Sequence, residues 1–161
     1  MGVTRNKSFP SGGVEQSTAT FDSLSNIPQS QIRVCIAEDN LINQKIAVQF
    51  LQKLNFGQVD AYNNGLEAVE GIRKMAKSGQ PYHMILMDVQ MPVLDGYEAT
   101  KLLRKDEIEE VRRILVIALT ASAVRGDREK CLESGMNDYL AKPVRLKLLK
   151  EKFKQYMVIE P

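Results

Sequence analysis

Met84-Ile85-Leu86-Met87-Asp88-Val89-Gln90-Met91-Pro92 decides how this chain folds. Four apolar residues run without a break into a carboxylate, and Pro92 enforces a turn shortly after. A short apolar run ended by a turn signal reads as a strand buried on both faces of a parallel sheet. Asp88 then stands at the carboxyl-terminal tip of that strand, where open α/β sheets hold their ligands. Upstream, Arg33-Val34-Cys35-Ile36-Ala37 runs in the same way into Glu38-Asp39. Downstream, Ile117-Ala118-Leu119-Thr120 and Tyr139-Leu140-Ala141-Lys142-Pro143 bring a hydroxyl and an amine to two further strand ends. Three carboxylates on two strand tips point to a hard-cation site rather than to scattered surface charge.

Between these runs the apolar spacing changes to the helical period. Strands are predicted near 32–37, 58–62, 83–88, 114–119 and 137–140, and helices near 41–54, 65–78, 95–106, 123–134 and 144–157. Such alternation specifies a parallel sheet with helices on both faces, and right-handed crossovers restrict its topology. Residues 1–30 carry scattered Ser, Thr, Gly and Gln with few large apolar residues. That composition does not offset its own ordering entropy, so a flexible, disordered linker is expected there and a folded domain over 31–158. Only Val158-Ile159-Glu160-Pro161 follows the fifth predicted helix. The expectation is a chain with no room for a DNA-binding or enzymatic output domain.

The 161 residues suit one domain. An apolar share of 43% is enough for a core. A net charge of +2 argues neither for nucleic acid nor for a membrane surface. Cys35 lies in a strand and Cys131 in a helical stretch far along the chain, a pattern of reduced thiols rather than a disulfide framework. The longest nearly apolar run, Ile114 to Val124, is too short to cross a bilayer, and no signal peptide opens the chain. Met1-Gly2 suggests myristoylation, but Asn6 stands where that motif wants Ser or Thr. A cytoplasmic protein with no direct membrane contact is expected.

The acidic pair, Asp88, Thr120 and Lys142-Pro143, taken in this order, resemble a response-regulator receiver domain, the phosphoacceptor module of two-component signalling. The resemblance covers about Ile32 to Met157. Asp88-Val89-Gln90-Met91-Pro92-Val93-Leu94-Asp95-Gly96 and Ser134-Gly135-Met136-Asn137-Asp138-Tyr139-Leu140-Ala141-Lys142-Pro143 are similar to receivers fused to hybrid histidine kinases, fungal ones above all. This resemblance implies a flavodoxin-like (βα)5 three-layer sandwich, its five-stranded parallel sheet ordered 2-1-3-4-5 with the switch point between strands 1 and 3. It also implies a cis Lys142-Pro143 peptide, the Gln90 backbone carbonyl as a metal ligand, and Tyr139 as a switch aromatic. That ring would turn inward as Thr120 moves to the phosphoryl group. Asn43 resembles the second Asn of the family's Glu-Asp-Asn-x-x-Asn stretch.

The chemistry of the residues fits. Mg²⁺ is held by one or two carboxylates plus waters and phosphate oxygens, so Asp39 and Asp88 are expected to ligate directly and Glu38 to hold a bound water. Mn²⁺ is a possible substitute. Glu38-Asp39 could instead merely favour the start of the next helix, but Asp88 supplies an independent half of the site. Asp88 is a plausible phosphoryl nucleophile, with Lys142 as a point charge and Thr120 as a donor to the phosphoryl oxygens. Thr120 could instead cap a helix and Lys142 could be solvated surface; their joint placement at strand ends argues against both. His83, the sole histidine, follows Pro81-Tyr82 at a strand start. It reads as a half-buried edge residue, which leaves the chain without a phosphohistidine or a His-based zinc site.

Three helical features complete the reading. Asn40 is a good N-cap, to which Gln44 adds weak support. Helix 123–134 is expected to anchor through Val124, Cys131 and Leu132, with Gly126 costing about 1 kcal/mol, and so reads either as an ordinary surface helix or as a mobile element. In helix 41–54, Ile46, Ala47, Phe50, Leu51 and Leu54 share an arc expected to face the sheet. Leu41 and Val48 then lie opposite, as a docking patch for a helical phosphotransfer protein or as ordinary exposed surface.

The leading expectation is the terminal receiver of a hybrid histidine kinase. It takes phosphate from the kinase's phosphohistidine onto Asp88 and passes it to a histidine phosphotransfer protein. It is not a stand-alone enzyme beyond its own aspartyl phosphorylation and dephosphorylation. A single-domain response regulator shares that chemistry. A haloacid-dehalogenase-like phosphatase would need an Asp where Gln90 stands, and a pseudo-receiver would lack an acid or the Lys.

Overall fold

The computed structural model describes residues 24–122 and 124–160. Strands β1 (Arg33–Ala37), β2 (Gln58–Tyr62), β3 (Met84–Asp88), β4 (Leu115–Thr120) and β5 (Asp138–Ala141) form one sheet. Its order is β2-β1-β3-β4-β5, and every pairing is parallel. The helices are α1 (Leu41–Lys53), α2 (Gly65–Lys77), α3 (Gly96–Arg104), α4 (Glu109–Arg112), α5 (Arg125–Glu133) and α6 (Leu146–Phe153). The flavodoxin-like expectation is borne out.

Side chains of the central strands alternate between two cores. Val34, Ile36, Met84, Leu86, Leu115 and Ile117 pack with Ala47 and Leu51 of α1 and with Leu149 and Phe153 of α6. Cys35, Ala37, Ile85, Met87, Val116 and Ala118 face α2, α3, α4 and Cys131 of α5. Because both faces are covered, β3 and β4 are buried throughout, whereas the edge strands β2 and β5 are mostly half-buried.

Four expectations need correction. Residues 1–23 of the expected linker lie outside the described residues, but 24–30 are not a linker. Leu24 is buried and Ile27 packs beside it on the α1/α6 core. The buried Gln29 donates to the Leu54 carbonyl and accepts from the Glu160 amide at 2.7 Å. A few apolar residues suffice once a core offers them a seat. Second, α4 was not predicted; its four residues, three of them charged, carry no readable period. Third, Val124 is 62% exposed and Leu132 54% exposed, so Cys131 alone of the three expected anchors is buried. Fourth, the buried arc of α1 centres on Ala47, Leu51 and Leu54. This rotation half-buries Val48 against the core and leaves Ile46 exposed.

Candidate active site

Sheet register assembles the site. Ala37 pairs with Met87, so the next residues, Glu38 and Asp88, fall side by side at the strand tips. Thr120 pairs with Ala141, and the Lys142 amide donates to the Thr120 carbonyl at 2.8 Å, which carries Lys142 past the end of β5 toward them. Helix α3 can begin directly beneath Asp88 because residue 96 is glycine. A Cβ there would stand 2.3 Å from the Asp88 carbonyl oxygen. Between them, the Leu94 amide donates to the Pro92 carbonyl at 2.8 Å across Val93, whose φ is 71°. A γ-turn of this hand on a β-branched residue is strained.

Carboxylate oxygens of Glu38, Asp39 and Asp88 all lie within 4.8 Å of one another. Glu38 and Asp88 are buried and Asp39 is exposed. Lys142 Nζ stands 3.0 Å from Asp88 Oδ2 and 3.3 Å from Glu38 Oε1. The other oxygens are held by backbone amides, from Gln90 to Asp88 Oδ1 at 3.2 Å and from Asn40 to Glu38 Oε2 at 3.1 Å. Burial pushes the Glu38 carboxyl above its ordinary range; the Asn40 amide opposes this and the Asp88 charge reinforces it. For Lys142 burial acts downward, yet the bond to Asp88 and the charges of Asp88 and Glu38 outweigh it and hold the ammonium above its usual pKa. Three carboxylates thus face one ammonium. The surplus negative charge, on oxygens alone, matches a hard divalent cation.

The other expected site residues are held by contacts of their own. The buried Thr120 hydroxyl donates to the Ser122 carbonyl at 2.8 Å. Tyr139 is half-buried against the core, its hydroxyl accepting from Arg128 Nη1 at 3.1 Å. The Arg128 guanidinium and Lys152 Nζ lie 5.8 and 5.5 Å from the centre of its ring. The Lys142-Pro143 peptide is cis, as the resemblance implies. His83 is half-buried at the foot of β3, where its Nδ1 accepts from the Arg33 amide at 2.9 Å. Asn40 caps α1, its side chain accepting from the Asn43 amide.

Leu41, at 60% exposure, and Ile42, at 71%, lie beside the acidic pair with Ile46. A cavity of about 340 Å³ runs from Ile46 and Ala47 past Leu119 and Pro143 to Lys142. Sequence reasoning passed over Ile42 and placed the exposed Ile46 on the buried arc, because it set the phase of α1 too far toward Phe50. It also undervalued Gln44, whose only signal is its place four residues after the cap.

An open parallel sheet with an acidic pocket over its switch point, beside a strand-tip lysine, defines a doubly wound domain whose pocket chemistry suits a hard cation. The chain belongs to the response regulator receiver domain family, whose model matches residues 34–154. It is 42% identical over 141 residues to hybrid signal transduction histidine kinase I of Dictyostelium discoideum, covering 88% of this chain and 8% of that kinase's length. The chain therefore spans a small part of that relative. Among solved structures it is similar to the receiver domain of sensor histidine kinase PA1611 from Pseudomonas aeruginosa, which has a magnesium ion coordinated in its active-site cleft. There the identity is 41% and the TM-score 0.66, over 78% of this chain and 97% of that one. It is also similar to a chain in the Saccharomyces cerevisiae complex of the phosphotransfer protein Ypd1 with the receiver domain of the response regulator Ssk1. That match has 39% identity and a TM-score of 0.68, covering 78% and 88% of the two chains. No helix among the described residues is long and apolar enough to cross a membrane.

Proposed function

We propose that Asp88 accepts a phosphoryl group from a phosphohistidine and yields it to a histidine phosphotransfer protein, within the receiver of a hybrid histidine kinase. The observation that carries this reading is Lys142 bridging Asp88 and Glu38 in a pocket with surplus negative charge. Asp39 and Asp88 would hold Mg²⁺ directly, Glu38 through a water, with the Gln90 carbonyl as a further ligand; Mn²⁺ would serve in its place. When bound, the ion offsets charge on the phosphoryl oxygens.

The donor's phosphorus–nitrogen bond breaks as a bond to an Asp88 carboxylate oxygen forms, and the imidazole leaves as the neutral ring once it has a proton. Lys142 transfers its ammonium contact from Asp88 to the phosphoryl oxygens. Thr120, released from Ser122, donates to another of them. Tyr139 follows into the space Thr120 leaves, which requires the Arg128 contact to open. Leu41, Ile42 and Ile46, not Val48, form the apolar patch on which a helical phosphotransfer protein docks.

One assay addresses chemistry and docking together. A small acyl phosphate with Mg²⁺ should add one base-labile phosphoryl group, absent from Asp88→Asn. Leu41→Asp/Ile42→Asp should slow exchange with a phosphotransfer protein at least tenfold relative to that labelling. Equal labelling of Asp88→Asn sinks the acceptor assignment, and an unchanged ratio sinks the docking patch.

A further inference from the structure

Gln44 lies one turn into α1 and is half-buried behind the acidic pair. Its carboxamide nitrogen is 3.0 Å from the Glu38 carbonyl oxygen, 3.2 Å from the Tyr62 carbonyl oxygen and 3.0 Å from Asn63 Oδ1. These acceptors belong to the turn after β1, the end of β2 and the turn into α2. The Glu38 amide still pairs with Tyr62 at 3.1 Å, so the ladder between β1 and β2 persists to this residue. Beyond it the chain leaves the sheet, and Gln44 supplies the donor to the Glu38 carbonyl. That carbonyl belongs to the peptide joining Glu38 to Asp39. Its plane sets the directions in which both side chains leave the backbone. Asn63, the third acceptor, is itself tied to α2, since its amide donates to Glu67 Oε1 at 3.0 Å.

We propose that Gln44 is a positioning residue for the divalent cation: by clamping the Glu38–Asp39 peptide to the β2–α2 turn, it holds the two acids in the geometry a small octahedral ion demands. The proposal rests on reading the acidic pocket as a Mg²⁺ site. Gln44 touches neither the ion nor the phosphoryl group; it acts through the backbone that carries Glu38 and Asp39. A six-residue reach from Glu38 to Gln44 lets the first turn of α1 brace the loop that feeds it. Groups that orient metal-ligating residues commonly govern affinity by about tenfold or more.

The choice of ion separates positioning from general support. Mg²⁺ tolerates little departure from octahedral geometry, whereas Ca²⁺ accepts flexible and irregular oxygen cages. Calorimetric titrations of the whole chain with Mg²⁺ and with Ca²⁺ should therefore be compared with Gln44→Met, which keeps the side-chain volume and removes the donor. The expected result is about a tenfold loss of Mg²⁺ affinity with a much smaller loss for Ca²⁺. Gln52→Leu, on the exposed side of the same helix, should change neither. Asn63→Ala removes one acceptor and leaves α1 intact; it should shift the ion ratio in the same direction by a smaller factor, and it decides the matter if Gln44→Met does not fold. Unchanged affinities, or equal losses for both ions alongside a lowered melting temperature, would overturn the proposal. If the wild-type chain binds no Mg²⁺ at all, the reading of the pocket fails first and the proposal with it.

Discussion

Lys142 and His83 show how position converts a common side chain into a specific instrument. Lys142 competes with any cation for Glu38 and Asp88, since its ammonium lies 3.0 to 3.3 Å from both. Lys142→Met should leave Mg²⁺ affinity unchanged or higher, while labelling by acyl phosphate falls by at least tenfold. Calorimetry beside the labelling assay checks both, and lost Mg²⁺ affinity with normal labelling would contradict the role. His83 is held neutral: burial first, then the Arg33 charge, lowers its pKa to about 4 from an ordinary 6.5. Below pH 6.5 the unfolded chain binds a proton that the folded one refuses. The stability His83 contributes is therefore complete above pH 6.5 and is lost as pH falls toward 4. Discounted for its partial exposure, the loss between pH 7.5 and 5 is about 1 kcal/mol. The urea midpoint should fall more over this range in the wild type than in His83→Gln, whose side-chain oxygen can still accept from Arg33. Parallel curves for the two proteins would rule His83 out as the source.

At the scale of elements, Arg104 ties α3 to three other parts of the fold. Its guanidinium donates to the carbonyls of Gly135, Arg112 and Ile114 and to Asn137 Oδ1, all at 2.7 to 2.8 Å. Burial lowers its pKa only to about 10, so it remains charged. The end of α3, the end of α4 and the starts of β4 and β5 are thereby pinned together. Arg104→Met should cost about 3 kcal/mol, because buried acceptors lose their donor. Arg104→Lys should recover only part, since one ammonium cannot match a planar fork; thermal melts of both variants test this, and a loss below about 1 kcal/mol would show the acceptors find other partners. Nothing in the sequence marked Arg104, because an arginine near a helix end reads as surface. The same limit left Gln44 as no more than weak support for the Asn40 cap. Strands β3 and β4 were legible because a strand covered on both faces is apolar at every position, and the acids at the tips of β1 and β3 were legible because they interrupt such runs. Helix α5 was legible in its span, but two of its three expected anchors were not, since Cys131 alone of them is buried and one buried residue does not set a period. The bond of Tyr139 to Arg128 and the turn of Thr120 toward Ser122 are rotamer choices that composition does not encode.

For the molecule as a whole, the folded unit begins earlier than the family match at Val34. Leu24 and Ile27 lie on the core formed with α1 and α6, and Gly57 accepts the close approach of Ser30, whose carbonyl oxygen would stand 2.4 Å from a Cβ at that position. Removing residues 1–31 should destabilise the domain by about 3 kcal/mol through the lost apolar burial. Removing 1–23 alone should leave Leu24 seated and the stability close to that of the full chain. Urea unfolding of the two truncations decides it, and equal midpoints would return 24–30 to the status of a linker. The bond from Glu160 to Gln29 has a consequence for how such a unit can be carried. Entry and exit of the polypeptide are next-door neighbours, on the side of the sheet away from the acidic pocket. A host protein could therefore accept the whole unit inside one of its own surface loops, as a cassette with a narrow base, and leave every strand tip facing outward and unencumbered.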